Sequence, residues 1–274
     1  MISFSTNDYA GFADMYANMA SYFLNPAYYQ EVDTGHWQAL KGTPHSHTRE
    51  MRHVHLQSPI FPTIGSLASW FQPNLPWAED HFLERVGYEP LNPGEQYKNW
   101  PWYRGGVEDH KETGQFSHTY MERFWPRTAG EPGSFPIQGH RGIRYRYGDL
   151  KDVLDLLARE PMTRQAYLPI WFPEDTGAHH EQRVPCTLGY HFMVRNDRMH
   201  CFYPMRSVDF VRYLKDDLYM AARLVLHVIG MLQNRNNGYW DVVAPGTLEF
   251  FASSLHIFDG DVKKLRSEYG DKTF

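Results

Sequence analysis

Along the chain the apolar positions change period several times, and each change marks an element. From residue 7 to 23 they recur at helical spacing, with Tyr9, Phe12, Tyr16, Met19 and Phe23 on one face and Asn7 ahead of them as a candidate cap. A second helix is expected over "PWAEDHFLERVG" (76–87), opened by Pro76 and closed by Gly87. A third, "GDLKDVLDLLAREP" (148–161), carries Leu150, Val153, Leu154 and Leu157 as its stripe and stops at Pro161. "DDLYMAARLVLHVIGMLQ" (216–233) is the most apolar helix and is expected at the centre of the fold.

Strand patterns lie between these helices. "RQAYLPIWF" reads as a buried strand, and "TLEFFASSLHIF" (247–258) as a late one. Residues 186–195 and 199–206 read as two strands meeting at Asn196-Asp197, a plausible hairpin turn. Residues 88–142 are rich in Pro, Gly, Trp and Tyr without any low-complexity run, which suggests ordered irregular structure. No internal repeat is visible. Helices packed on a mixed, largely antiparallel sheet predict an α+β fold, built as one domain over residues 1–274.

Composition narrows the function. Hydrophobic residues at 42% and aromatics at 16% supply a substantial core. A net charge of −5 offers no basic face for a nucleic-acid backbone, so an anionic partner should be small and met by a few arginines. The opening "MISFSTNDYA" lacks the basic and apolar regions of a signal peptide. No apolar run approaches the roughly 18 residues of a membrane helix. Two cysteines in so long a chain argue against a disulfide scaffold and for a reducing, cytoplasmic setting.

Both cysteines fall in "RVPCTLGYHFMVRNDRMHCFYPMRSVDF" (183–210). Cys201 sits in an aromatic run and fits a core position, the usual place for a free cysteine. Cys186 follows a proline at the head of the first strand. Pairing about Asn196-Asp197 brings Cys186 and Arg206 to the same end of the hairpin. A guanidinium beside a thiol favours the thiolate, the nucleophilic form. Arg206 and Ser207 together also offer donors suited to a phosphate.

The stretch resembles the thymidylate synthase superfamily, whose nucleophile lies in a Pro-Cys strand followed by Arg-Ser-x-Asp. Over residues 163–258 the segments "TRQ", "PC", "MRSVD", "DDLYMA" and "SSLHIF" occur in the family's order, and "EMRHVHLQSPIFP" and "WAEDHFL" are similar more weakly. Together these cover over half the chain. The resemblance implies a thymidylate synthase-like fold. It also implies Cys186 as nucleophile toward C6 of a pyrimidine nucleotide and 5,10-methylenetetrahydrofolate as one-carbon donor. By the same resemblance Arg206 and Ser207 hold the nucleotide phosphate and Asp209 contacts the pterin. His256 meets the sugar hydroxyl, and Glu79 manages proton transfers through ordered water. Arg164 reaches the phosphate of a neighbouring subunit, which implies a homodimer.

Asp217 refines the expectation. Thymidylate-making relatives carry asparagine there, whose amide offers the uracil edge both a donor and an acceptor. An aspartate accepts from a cytosine amino group and, when protonated, also donates. In this respect the chain looks like phage deoxycytidylate hydroxymethylase and the cytidylate hydroxymethylases of nucleoside-antibiotic pathways. The implied activity is 5-hydroxymethylation of dCMP or CMP, with methyl transfer to dCMP or dUMP as the alternative.

Several positions depart from the family pattern. Arg164-Gln165 replaces a pair of arginines, leaving Lys41 or Arg49 to supplement the phosphate grip. His191 stands where a glutamine is usual, five residues after the cysteine. Phe258 stands where a tyrosine usually adds a second sugar contact, so ribose and deoxyribose both remain. The tail "SEYGDKTF" lacks the short apolar ending that closes over folate, which favours water as the species completing the reaction. A rival reading from another class is a metal-dependent enzyme using the histidines of "PHSHTREMRHVHL" and "GAHHEQ". No carboxylate partner stands at a recognisable spacing from them, and His53 and His55 suit ordinary strand positions equally.

Overall fold

A computed structural model of the chain describes residues 2–33, 47–101, 116, 118–129, 148–176, 184–235 and 238–270. Its centre is a seven-stranded mixed sheet: β1 (Ile2–Ser5), β2 (Gln30–Asp33), β3 (His47–Pro59), β4 (Tyr167–Pro169), β5 (Gly189–Arg195), β6 (Arg198–Asp209) and β7 (Ala244–Phe258). The order is β1-β3-β7-β6-β5-β4, with β2 also on β3. β1 runs parallel to β3 and β6 parallel to β7, while the other pairs are antiparallel. The expected α+β class and mixed, largely antiparallel sheet are both present.

The helices are α1 (Phe12–Leu24), α2 (Ile64–Phe71), α3 (Trp77–Val86), α4 (Tyr120–Phe124), α5 (Pro126–Ala129), α6 (Leu150–Arg159), α7 (Leu214–Gln233) and α8 (Asp259–Tyr269). One hydrophobic cluster runs from Phe4 to Leu265, with α7 contributing Leu218, Ala221, Val225, Val228 and Leu232 to it. That burial explains why α7 is apolar on most of its surface. Capping decides several boundaries. Thr63 Oγ1 accepts from the Ser66 amide at the start of α2, and the Asp149 amide donates to Asp152 at the start of α6.

Some expectations need correction. The first helix starts at Phe12, not residue 7, because Ser5 Oγ accepts from the Asn7 amide and closes a separate 3-10 turn over Thr6–Asp8. "RQAYLPIWF" yields only the three-residue β4, as an edge strand. Among residues 88–142, residues 88–101 form turns and irregular chain, as expected, and 120–129 form α4 and α5; residues 102–115, 117 and 130–142 lie outside the described residues. The hairpin forms as expected, with Asn196 at φ 51° and Asp197 at φ 56°, both left-handed as a type I′ turn requires.

One irregularity crosses three neighbouring strands at the same level. On β6, Arg206 and Ser207 stand between the buried Met205 and Val208; on β7, Ser253 and Ser254 stand between Ala252 and Leu255; on β3, Arg52 and His53 stand between Met51 and Val54. These positions align through Met205↔Ala252, Ser207↔Ser254 and Val54↔Ala252. A regular strand alternates faces every residue, so two core residues three apart require a bulge. His53, at φ 55°, marks it on β3. The bulge re-aims Arg206 and Ser207 together.

Candidate active site

Beyond the regular hairpin, a single antiparallel bridge, Thr187↔Met205, carries the pairing towards Cys186, and the Arg206 amide donates to the Cys186 carbonyl at 2.9 Å. The Arg206 side chain then fastens the segment before the cysteine. Its Nε donates to the Pro185 carbonyl at 2.8 Å and its Nη2 to the Val184 carbonyl at 2.9 Å. Nη2 also lies 3.7 Å from Cys186 Sγ, and Ser207 Oγ donates to the same sulfur at 3.5 Å. Nη1 donates to Ser207 Oγ at 3.2 Å, so among the described residues one of the five guanidinium hydrogens has no acceptor. Cys186 is partly accessible. Cys201 is fully buried, and burial pushes its thiol far up.

Behind the cysteine stands a wall of hydroxyls. Thr187 Oγ1 is 3.0 Å from Tyr203 Oη and 3.2 Å from Tyr120 Oη. Tyr203 stacks on Tyr190 at 4.7 Å. Tyr120, on α4, lies beneath the Arg85 guanidinium at 4.2 Å and is pushed up to about 12 by burial, with Cys186 and Asp217 adding to the shift. The first turn of α7 supplies Asp217, which is buried. Tyr213 occupies the cap position, so Asp217 does not cap the helix. Its carboxylate has no hydrogen-bond partner among the described residues. Burial raises it to about 7 against the opposing pull of Arg85, while Asp216 and Asp209 add to the rise.

Asp209 ends β6. Its Oδ1 accepts from the amides of Val211 and Arg212, while its buried Oδ2 accepts no hydrogen bond and lies in an ion pair 3.5 Å from Arg212 Nε. Burial raises this carboxyl to about 7 as well, opposed by Arg212. In register with it on β7 is His256, which burial, helped by Arg206 and Arg212, pushes down to about 4. The imidazole is therefore neutral at pH 7 and offers one donor and one acceptor. Phe258 packs edge-on against that ring.

Other expected residues are held elsewhere. Glu79, on α3, accepts from Tyr219 Oη at 2.7 Å and forms a two-oxygen pair with Arg223, both on α7. No hydrogen bond joins it to Cys186, Arg206 or Asp217. The Arg164 side chain is exposed on the loop between α6 and β4, and its carbonyl lies 3.0 Å from His191 Nε2. Arg49 donates to the Phe23 carbonyl at 2.9 Å and lies over Tyr29. Lys41, His45, His179 and His180 lie outside the described residues. His55 pairs with Glu249 at 2.8 Å. Among the described residues no group of three or more His, Cys, Asp or Glu is arranged to hold a metal ion. Among them, too, no helix is long and apolar enough to cross a membrane.

Arg85, Tyr120, Thr187 and Tyr203 were not anticipated as part of this group. Arg85 had a readable signal: with Ala78, Phe82 and Val86 it shares the buried face of α3. An arginine in the last turn of a helix otherwise reads as a solvated partner of the helix dipole. Tyr120 had none, since it follows a stretch without periodicity.

Comparison with known proteins agrees with this geometry. The family described as Thymidylate synthase matches residues 93–269, more than half of the chain. A curated protein of Methanococcoides burtonii named "Putative thymidylate synthase" is 30% identical over 160 residues, covering 56% of this chain and 68% of its own. One of the same name from Methanosarcina barkeri is 23% identical over 184 residues, covering 67% and 70%. With the Pro-Cys hairpin, the Arg-Ser-x-Asp bulge and this match in hand, the chain belongs to the thymidylate synthase family.

Proposed function

We propose that the protein transfers a one-carbon unit from 5,10-methylenetetrahydrofolate to C5 of a cytosine nucleotide, dCMP or CMP, and releases the 5-hydroxymethyl product. The observation that carries this reading is an accessible thiol with two donors at its sulfur, in a site that also contains a buried carboxylate with no hydrogen-bond partner among the described residues. Cys186 Sγ adds to C6 of the ring, and the C5–C6 electron pair makes C5 nucleophilic. Asp217 accepts from the cytosine amino group and, when protonated, donates in its turn. Bound methylenetetrahydrofolate supplies a carbon at the oxidation level of formaldehyde. The Oδ2 of Asp209, paired with Arg212 at 3.5 Å but accepting no hydrogen bond, fits a pterin, whose ring N–H and amino groups are donors. C5 bonds the donated carbon. Loss of the C5 proton then drives off tetrahydrofolate by breaking its bond to the same carbon, which leaves an exocyclic methylene on the base. Water adds to it, and Sγ departs from C6.

The remaining roles follow the same reading. The free Nη1 hydrogen of Arg206, with Ser207 and the exposed Arg164 of a second copy, grips the phosphate. The neutral His256 meets the sugar hydroxyl. His191 positions the Arg164 loop through its carbonyl. Glu79 acts at a distance, through ordered water, because Tyr219 and Arg223 engage both its oxygens. The chain works as one catalytic domain, in the cytoplasm, as a homodimer.

Exchange of the base C5 hydrogen tests the first half of the reaction. Cys186→Ser should abolish exchange and turnover, while Cys201→Ala should keep most of both. Exchange in Cys186→Ser at the wild-type rate would overturn the covalent mechanism.

A further inference from the structure

Arg85 is a buried charge that the mechanism above does not use. It sits in the last turn of α3 with 4% of its surface exposed. It forms no ion pair among the described residues, and its Nε is buried without a hydrogen-bond partner. Its guanidinium lies over the Tyr120 ring at 4.2 Å, and the Tyr120 hydroxyl is 3.2 Å from that of Thr187, the residue next to Cys186. A buried cation without a counter-ion is costly, because the group gives up water and receives no equivalent donor–acceptor contact. Asp217 is the complementary case, a buried carboxylate with no hydrogen-bond partner among the described residues. The two charges sense each other but form no ion pair.

We propose that Arg85 is a base-contacting residue, donating to the N3–C2=O2 edge of the pyrimidine while Asp217 accepts from the neighbouring amino group. This rests on the nucleotide reading above and adds a ligand to it. Cytosine presents an amino donor and, beside it, two acceptors along one edge. An acceptor on the protein opposite the amino group and a fork of donors opposite N3 and O2 complement that edge. Uracil carries a hydrogen at N3 and so sets a donor against the guanidinium. Binding therefore satisfies two buried groups that the described residues leave unmet, and it does so only for the correct base.

The test is a binding titration in the Cys186→Ser background, which removes covalent chemistry. The ligands are dCMP or CMP, whichever binds more tightly, and the matching base-free sugar 5-phosphate. Arg85→Met should weaken the nucleotide at least tenfold and leave the sugar phosphate unchanged. Arg85→Lys, which keeps the charge but loses the fork, should fall between, and it carries the test if the methionine variant does not fold. Unchanged nucleotide affinity in both variants overturns the role of Arg85. Equal loss for nucleotide and sugar phosphate also overturns it, since the residue would then act on the phosphate or on the fold. If the Cys186→Ser protein with Arg85 intact binds neither ligand, the nucleotide reading itself fails and Arg85 falls with it.

Discussion

At the residue scale the account turns on Asp217. Burial raises its carboxyl to about 7 from an ordinary value of 3.8, so the folded protein holds a proton that the unfolded chain releases. The sign follows. Below pH 4 both states are protonated and nothing is lost; from there to pH 7 stability falls as pH rises; above pH 7 the whole cost is present. Asp209, raised to about 7 by the same cause, adds a slope of the same sign. Asp217→Asn should therefore remove part of the slope and stabilise the protein most at pH 8, by a few kcal/mol at most. Denaturant titrations of both proteins at pH 5 and pH 8 measure this, and an equal gain at the two pH values counts against it. The same variant should shift base preference towards uracil by about tenfold to a hundredfold, because an unmet polar pair in a closed site costs roughly 1–3 kcal/mol. Cys186 and Arg206 were legible as neighbours from hairpin spacing alone, whereas Asp217 stood out only through resemblance. Arg85 was hidden by its residue type, since nothing local distinguishes a buried arginine from a solvated one.

At the scale of elements, what could be read was what local pattern encodes. The helices α3, α6 and α7 and the β5–β6 hairpin have strong periodicity or clear stops, and they form close to where expected. β1 and β2 could not be read, because "ISFS" and "QEVD" are short and polar and become strands only by pairing with β3. The triple bulge was equally invisible, being a property of three strands in register. The hairpin that presents Cys186 offers a direct probe. Asp197 holds φ 56°, a conformation that costs most L-residues but not glycine. Asp197→Gly should raise stability by about 0.5 kcal/mol, since Asn-Gly is the favoured pair for this turn. The denaturation midpoint should rise with turnover unchanged. A lower midpoint would mean that Asp197 contributes more than its backbone conformation.

The whole molecule poses the question of assembly. The sheet order was beyond local reading, since β6 returns through α7 to lie parallel to β7 and β1 adds in parallel at the far side of β3. The single chain presents the Arg164 side chain to solvent. A homodimer with shared sites predicts complementation. Arg164→Ala and Cys186→Ser, each nearly inactive alone, should recover about a quarter of wild-type activity when mixed, as subunit exchange builds one intact site in half of the dimers. Mixtures no more active than their parts, from proteins shown to exchange subunits, would place Arg164 outside the partner's site.

The central claim is folate-dependent hydroxymethyl transfer to a cytosine nucleotide. It is tested most directly by incubating the protein with methylenetetrahydrofolate and dCMP, CMP, dUMP or UMP in parallel, reading product mass and dihydrofolate absorbance together. The account predicts a product from dCMP or CMP heavier by one CH2O unit, with no dihydrofolate. A methylated product accompanied by dihydrofolate, or turnover confined to the uracil nucleotides, would contradict it.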